Sequence, residues 1–166
     1  MKFKISKNKI FKCLSHLHGI VDKKNTLPIL SNILIEAKNN TLILSSTDMD
    51  ISIVENLKCD VLEDGTTTTN SQMLYDIVRK LDDTCELEII SNNGKLLTLR
   101  ANDSRFSLAC LPKEDFPIID QTNKGVNLKI NSNVLFKLID KTRFAISNEE
   151  TRYFLNGLYF NVIEEN

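Results

Sequence analysis

The sequence predicts an α+β fold of duplicated β-α-β-β-β units, with helices on one face of antiparallel sheets. Three observations predict it. Helical periodicity is confined to isolated stretches, and alternating apolar runs fill the space between them. Turn residues such as Asn39-Asn40 and Asn92-Asn93-Gly94 punctuate those runs, and the pattern of the opening residues returns from Val126 onward.

Residues 2–5 read as a short strand, and Ser6 or Asn8 is placed to cap the helix that follows. In that helix Ile10, Leu14, Leu17 and Val21 fall on one apolar stripe, with Lys9, Lys12 and His16 opposite. After Pro28, strands are expected over residues 29–37, 41–45 and 49–55, the first two joined across Asn39-Asn40. Residues 59–62 and 66–69 suggest a further hairpin over Asp64-Gly65.

A second helix opens at Asn70 or Ser71. Met73, Leu74, Ile77, Val78 and Leu81 are its apolar positions, and it ends in Arg79 and Lys80, where cations suit a helix C-terminus. Strands over 86–91, 95–100 and 105–111 complete a second set. The first part of the chain thus runs strand–helix–strands twice.

A sharper repeat lies beyond residues 111–125. With Met1 set against Val126, Lys4 meets Lys129, Ile5 meets Ile130, Asn8 meets Asn133, Phe11 meets Phe136 and Lys12 meets Lys137. Apolar positions correspond too: Ile10 with Leu135, Leu14 with Ile139, Leu30 with Leu155. This implies one domain over 1–125 and a second copy over 126–166. The second copy should hold one strand, one helix and about one more strand, too few to bury a sheet face. The chain is therefore expected to be an N-terminal fragment of something longer.

Composition excludes some classes. No apolar run approaches the roughly 20 residues of a membrane span, and residues 1–5 alternate rather than forming a signal peptide. Cys13, Cys59, Cys85 and Cys110 form no Cys-x-x-Cys pair and sit among apolar neighbours, as free thiols do in a reducing compartment. A cytoplasmic location is the expectation, without a membrane partner or a cofactor. Enzyme signatures are missing: His16 and His18 point to different sides of a helix, and 5 glycines supply no phosphate loop. Asp48 and Asp50 could hold a cation, but a solvated strand end explains them more simply.

The charges carry more. Bases crowd the first 35 residues and acids crowd 48–64. Each helix has a basic outward side: Lys9, Lys12 and His16; Arg79 and Lys80; Lys137 and Lys141. Such helices, repeated about an axis, would meet phosphates without reading sequence, through contacts that salt screens.

Several segments bear on a family. Met1-Lys2-Phe3, Thr26-Leu27-Pro28-Ile29-Leu30-Ser31-Asn32, Thr47-Asp48 and Ser104-Arg105-Phe106-Ser107-Leu108 resemble the beta subunit of bacterial DNA polymerase III. So do Leu111-Pro112, Asp115-Phe116-Pro117 and Arg152-Tyr153-Phe154-Leu155-Asn156-Gly157. The resemblance spans the chain and implies the DNA-clamp fold: a three-domain subunit that pairs into a homodimer ring around double-stranded DNA. It implies a non-catalytic processivity factor whose partners are the polymerase III core, the clamp loader and other clamp-binding replication and repair proteins.

By the same resemblance, Lys24, Gln72, Glu149, Tyr153 and Phe154 fall at DNA-contact positions, alongside Lys12 and Lys137 on the basic helix faces. Gln72 stands where the family usually has a base, and Glu149 carries a charge that repels phosphate. Tyr153 and Phe154 read equally as strand core. Leu155 corresponds to a wall of the partner-peptide cleft, or to plain packing. Ile77, Leu81, Phe106 and Leu108 match the edge that meets the partner subunit, where Asp103 replaces a base found in some members.

Overall fold

The computed structural model describes residues 1–21, 27–92, 94–117 and 128–162. The chain divides into two compact units, Met1–Gln121 and Thr122–Asn166.

The first unit contains β1 (Lys2–Ser6), α1 (Lys7–His18), β2 (Asn32–Lys38), β3 (Thr41–Thr47), β4 (Ser52–Lys58), β5 (Asp60–Glu63), β6 (Gly65–Asn70), α2 (Ser71–Lys80), β7 (Glu86–Ile90), β8 (Leu96–Ala101) and β9 (Ser104–Ala109). A 3-10 turn at Pro28–Ser31 leads into β2. The strands form two sheets, ordered β5-β1-β7-β8-β9 and β4-β3-β2-β6, with every pairing antiparallel.

The order explains the internal duplication. β1-α1-β2-β3-β4 and β6-α2-β7-β8-β9 are equivalent halves, and each gives its first strand to the other half's sheet. β1 thus pairs with β7, Phe3 opposite Ile89, while β6 pairs with β2, Thr68 opposite Leu34. Neither half can close alone, so the main core is shared: Phe3, Ile10, Leu14, Leu17, Ile33, Leu44, Leu74, Val78, Leu87 and Leu99 all belong to it, beside a smaller cluster of Ile29, Leu30 and Phe116. Alternation along the strands selects these residues, and each large side chain buried contributes about 1.5–3 kcal/mol.

The hairpin expected over Asp64-Gly65 does not form. β5 pairs with β1 and β6 with β2, so the chain changes sheets there. Gly65 is needed at the crossing because a Cβ would lie 2.8 Å from the Met1 Cβ. The Asn39-Asn40 turn does form, with φ of 50° and 55° at its two central residues, the left-handed pair that a two-residue hairpin requires. β4 begins at Ser52 rather than Met49. Asp48 Oδ1 accepts from the Asp50 and Ile51 amides at 3.0 and 2.7 Å, and Met49 sits at φ 84°. Asp48 is thereby accounted for as a turn-former.

Helix ends also differ from expectation. α1 stops at His18, three residues short of Val21. Ser6 occupies its N-cap position without a side-chain bond, and the Lys7 amide donates instead to the Cys85 carbonyl at 3.0 Å. In α2 the cap is conventional: Asn70 Oδ1 accepts from the Met73 amide at 2.9 Å. Where the two sheets meet, side chains replace a ladder. Thr69 Oγ1 donates to the Ala109 carbonyl at 3.2 Å and Thr68 Oγ1 to the Leu111 carbonyl at 2.7 Å.

The second unit contains α3 (Ser132–Thr142) and 3-10 turns at Arg143–Ala145 and Glu150–Leu155. The one-strand, one-helix, one-strand expectation is corrected here: no strand occurs among its described residues. In the first unit β1 is held by β5 and β7, and no counterparts of those strands occur among the described residues of the second. Residues 153–155, expected in a strand, lie in a 3-10 turn, the counterpart of Pro28–Ser31 in the first unit. Val126, where the repeat begins, lies outside the described residues.

Candidate nucleic-acid interface

The apolar stripe of α1 is buried through Ile10, Cys13, Leu14 and Leu17, which turns Lys9, Lys12 and His16 outward. On α2, burial of Leu74 and Val78 turns Arg79 and Lys80 outward in the last turn. The two helices pack side by side through Tyr75. Its ring stacks on Phe11 at 5.5 Å and on His18 at 4.8 Å between centroids. Arg79 lies over the same ring at 5.6 Å, a cation–π contact that ties a base of α2 to the face shared with α1.

Several charges are engaged within the fold. Lys7 is buried, ion-paired with Asp83 and 4.8 Å over the Phe11 ring, so it is withdrawn from the outward face. His16 Nδ1 lies 2.6 Å from Glu55 Oε1, and Cys13 Sγ donates to Glu55 Oε2 at 3.2 Å. The His16 hydrogen bond holds the Glu55 carboxyl below the usual range, against the opposing effect of burial. Burial pushes the Cys13 thiol up to about 11, helped by its bond to Glu55, so it is a poor nucleophile. The acidic stretch is therefore not set apart from the basic one, because Glu55 reaches a base of α1.

Gln72 is also occupied: Nε2 donates to Asp76 Oδ2 at 2.7 Å, while Asp76 Oδ1 pairs with Arg79 at 3.2 Å. In the second unit Lys137 and Lys141 are exposed on α3. Glu149 pairs with Arg152 at 3.4 Å, both of them exposed. Phe154 is 70 % exposed and Leu155 44 %. Lys24 and the Tyr153 side chain lie outside the described residues.

Of the four residues assigned to a subunit edge, Ile77, Leu81 and Phe106 are half-buried, whereas Leu108 is 1 % exposed and belongs to the core. The Leu108 side chain faces the core, and the β9 backbone at this position lies on the sheet edge. β9 is an edge strand, paired only with β8 through its ladder. Sequence reasoning missed Tyr75, Asp76 and Glu55. Nothing in local spacing links Phe11 to Tyr75, or His16 to Glu55, because both contacts join distant segments.

Among the described residues no group of His, Cys, Asp or Glu is placed to hold a metal ion, and no helix is long and apolar enough to cross a membrane. All four cysteines are free; Cys13 and Cys85 are buried and the other two half-buried.

Interlocked β-α-β-β-β halves with a cationic pair of helices define the sliding-clamp class of fold. Residues 1–120 match the DNA polymerase III beta subunit, N-terminal domain, and residues 129–166 match its central domain. The chain belongs to the DNA polymerase III beta subunit family. It is 41 % identical over 166 residues to the beta sliding clamp of Caulobacter vibrioides, covering 99 % of this chain and 45 % of that one. The Pseudomonas aeruginosa beta sliding clamp is 34 % identical, over 98 % of this chain and 44 % of its own. Among solved structures, the Caulobacter crescentus polymerase III beta superposes with a TM-score of 0.92 at 40 % identity, covering 100 % of this chain and 45 % of that one. The Bartonella birtlesii sliding clamp bound to griselimycin gives 0.94 at 38 %, covering 99 % and 44 %. The chain thus spans just under half the length of these relatives.

Proposed function

We propose that the protein to which these two units belong is a DNA polymerase processivity factor: a clamp that encircles duplex DNA and tethers the replicative polymerase. The observation that carries this reading is the α1–α2 layer, whose outward Lys9, Lys12, Arg79 and Lys80 sit on a fold shared with sliding clamps. Cations on a rigid layer attract phosphates at every base pair alike, so the complex is loose and indifferent to sequence. Lys137 and Lys141 extend the same chemistry to the second unit. The role is non-catalytic and cytoplasmic, in a homodimer ring with the polymerase III core, the clamp loader and other clamp-binding proteins as partners. Residues 1–125 form one clamp domain and 126–166 begin the next.

In this reading Lys12, Lys24 and Lys137 serve DNA contact, and so do Tyr153 and Phe154. Gln72 and Glu149 contribute little, since both are engaged with neighbours. Ile77, Leu81, Phe106 and the β9 edge serve subunit pairing, and Leu155 serves the peptide cleft. The test has two parts. A protein spanning the full length of the relatives should stay on circular duplex and slide off linear duplex. The 166-residue chain should bind short duplex weakly, with affinity falling steeply as salt rises. Equal retention on both DNA forms, or binding insensitive to salt, would overturn the proposal.

A further inference from the structure

We propose that Glu55 is a counter-charge that limits how much of the α1 cationic face a duplex can use, by offsetting the charge of His16. The inference rests on the reading of α1 as a phosphate-facing helix and adds a residue to it that lies on β4, outside any helix.

The geometry is specific. One carboxylate bridges two groups one helical turn apart: Oε1 meets His16 Nδ1 at 2.6 Å and Oε2 accepts from Cys13 Sγ at 3.2 Å. Two bonds from one helix restrain the Glu55 side chain, although His16 itself is 51 % exposed. Lys12, also on α1, adds a favourable charge near the carboxylate. On β3 the residue opposite Glu55 is Leu44, which carries none. The carboxyl is held below its usual range, so it remains an anion throughout the pH range in which DNA is bound.

The consequence follows from charge arithmetic. The outward side of α1 offers Lys9, Lys12 and His16, and Glu55 offsets one of them where the backbone of a duplex would lie. A phosphate approaching His16 finds Nδ1 already bonded to Glu55 and can meet only Nε2, against the repulsion of the bonded carboxylate. A clamp must hold DNA without arresting it, and a fixed counter-charge inside the basic layer weakens the grip without deleting a lysine.

The experiment uses the whole 166-residue chain, short duplex DNA of arbitrary sequence and a monovalent salt series. Glu55→Gln should tighten binding ~3–10-fold and steepen the log-affinity against log-salt slope by up to about one. His16→Gln should weaken binding, since Glu55 is then unpaired beside phosphate. In the His16→Gln background Glu55→Gln should bring binding back to about the parent level, because the two charges offset each other.

Unchanged or weaker binding by a Glu55→Gln chain whose thermal unfolding matches the parent would overturn the proposal. So would a double variant that binds no better than His16→Gln alone. Should Glu55→Gln fail to fold, Glu55→Ala takes its place: tighter binding than the parent supports the proposal, and unchanged or weaker binding sinks it. Loss of all salt-sensitive binding in the parent would instead sink the clamp reading itself, whereas parent binding with an unresponsive Glu55 sinks only this one.

Discussion

α1 and α3 are built from corresponding sequence and have opposite surroundings. Both start at matching positions of the repeat, and both present lysines outward. Yet α1 buries Ile10, Cys13, Leu14 and Leu17, while α3 buries no residue, and Phe136, counterpart of half-buried Phe11, is 68 % exposed. The difference teaches that a helix is written locally but stabilised from afar. The partners of α1 are β1, β3, β4 and α2, contributed by segments up to about 70 residues away in sequence. No equivalent strands stand against α3 among the described residues, so its apolar stripe remains a pattern without a core.

The sharpest way to break that comparison is one substitution in each helix at repeat-equivalent positions. Leu14→Ala should cost about 2–5 kcal/mol in urea unfolding of the first unit, because it opens a cavity in a closed core. Ile139→Ala, at a position 38 % exposed, should cost well under about 1 kcal/mol on the same reasoning. Equal costs would mean that α3 is buried as deeply as α1, and the contrast would fall.

Glycines sharpen it next. Gly65 stands where β5 passes into β6 against Met1, and any side chain there must push the N-terminus aside. Gly65→Ala should cost about 1–3 kcal/mol, the usual penalty of overpacking. Gly157 has nothing within 4 Å of where a Cβ would be, so Gly157→Ala should be neutral or stabilising by up to about 1 kcal/mol. Thermal unfolding of the two variants separates them.

The same asymmetry governs how far the sequence could be read. Elements whose signals are local were legible: α1 from its stripe, α2 from Asn70 and its last-turn bases, the Asn39-Asn40 turn from its left-handed residues. What failed was pairing at a distance. The run 59–69 looks like two strands around a turn, and it is. Which sheet each joins is decided by the contacts of Met1 with Gly65 and of Thr68 and Thr69 with residues near 110. The site divides likewise: Lys9, Lys12, Arg79 and Lys80 follow from helical phase, whereas the engagement of His16 by Glu55 and of Gln72 by Asp76 depends on side chains that spacing does not orient. The inward turn of the Leu108 side chain, by contrast, follows from the alternation along β9.

Helix caps give a smaller effect. Asn70 and Asn131 each accept a bond from an amide of the helix they precede, at 2.9 Å in both cases. Asn70→Ala should lower the stability of the first unit by about 1 kcal/mol, because α2 is part of its cooperative core. Asn131→Ala should reduce helical circular dichroism from α3 and leave the unfolding of the first unit unchanged. A loss of first-unit stability from Asn131→Ala would show that the two units unfold together.

Alkaline pH offers the smallest and most selective probe, because Cys13, Cys59, Cys85 and Cys110 all lie in the first unit. Burial raises each thiol above its ordinary value, and for Cys13 the folded value is about 11. The sign follows from proton counting. Between the ordinary thiol range and about pH 11 the folded Cys13 keeps its proton while the unfolded chain has lost it, so stability falls as pH rises through that window. Below it the contribution is fully present. Cys13→Ser keeps a donor for Glu55 but does not titrate there. Its unfolding free energy should therefore decline less than the parent's between pH ~9 and ~11, with the two running parallel below about pH 8. Parallel decline across the whole range would mean that the thiol ionises as easily folded as unfolded, and that α1 does not enclose Cys13 as the closed first unit requires.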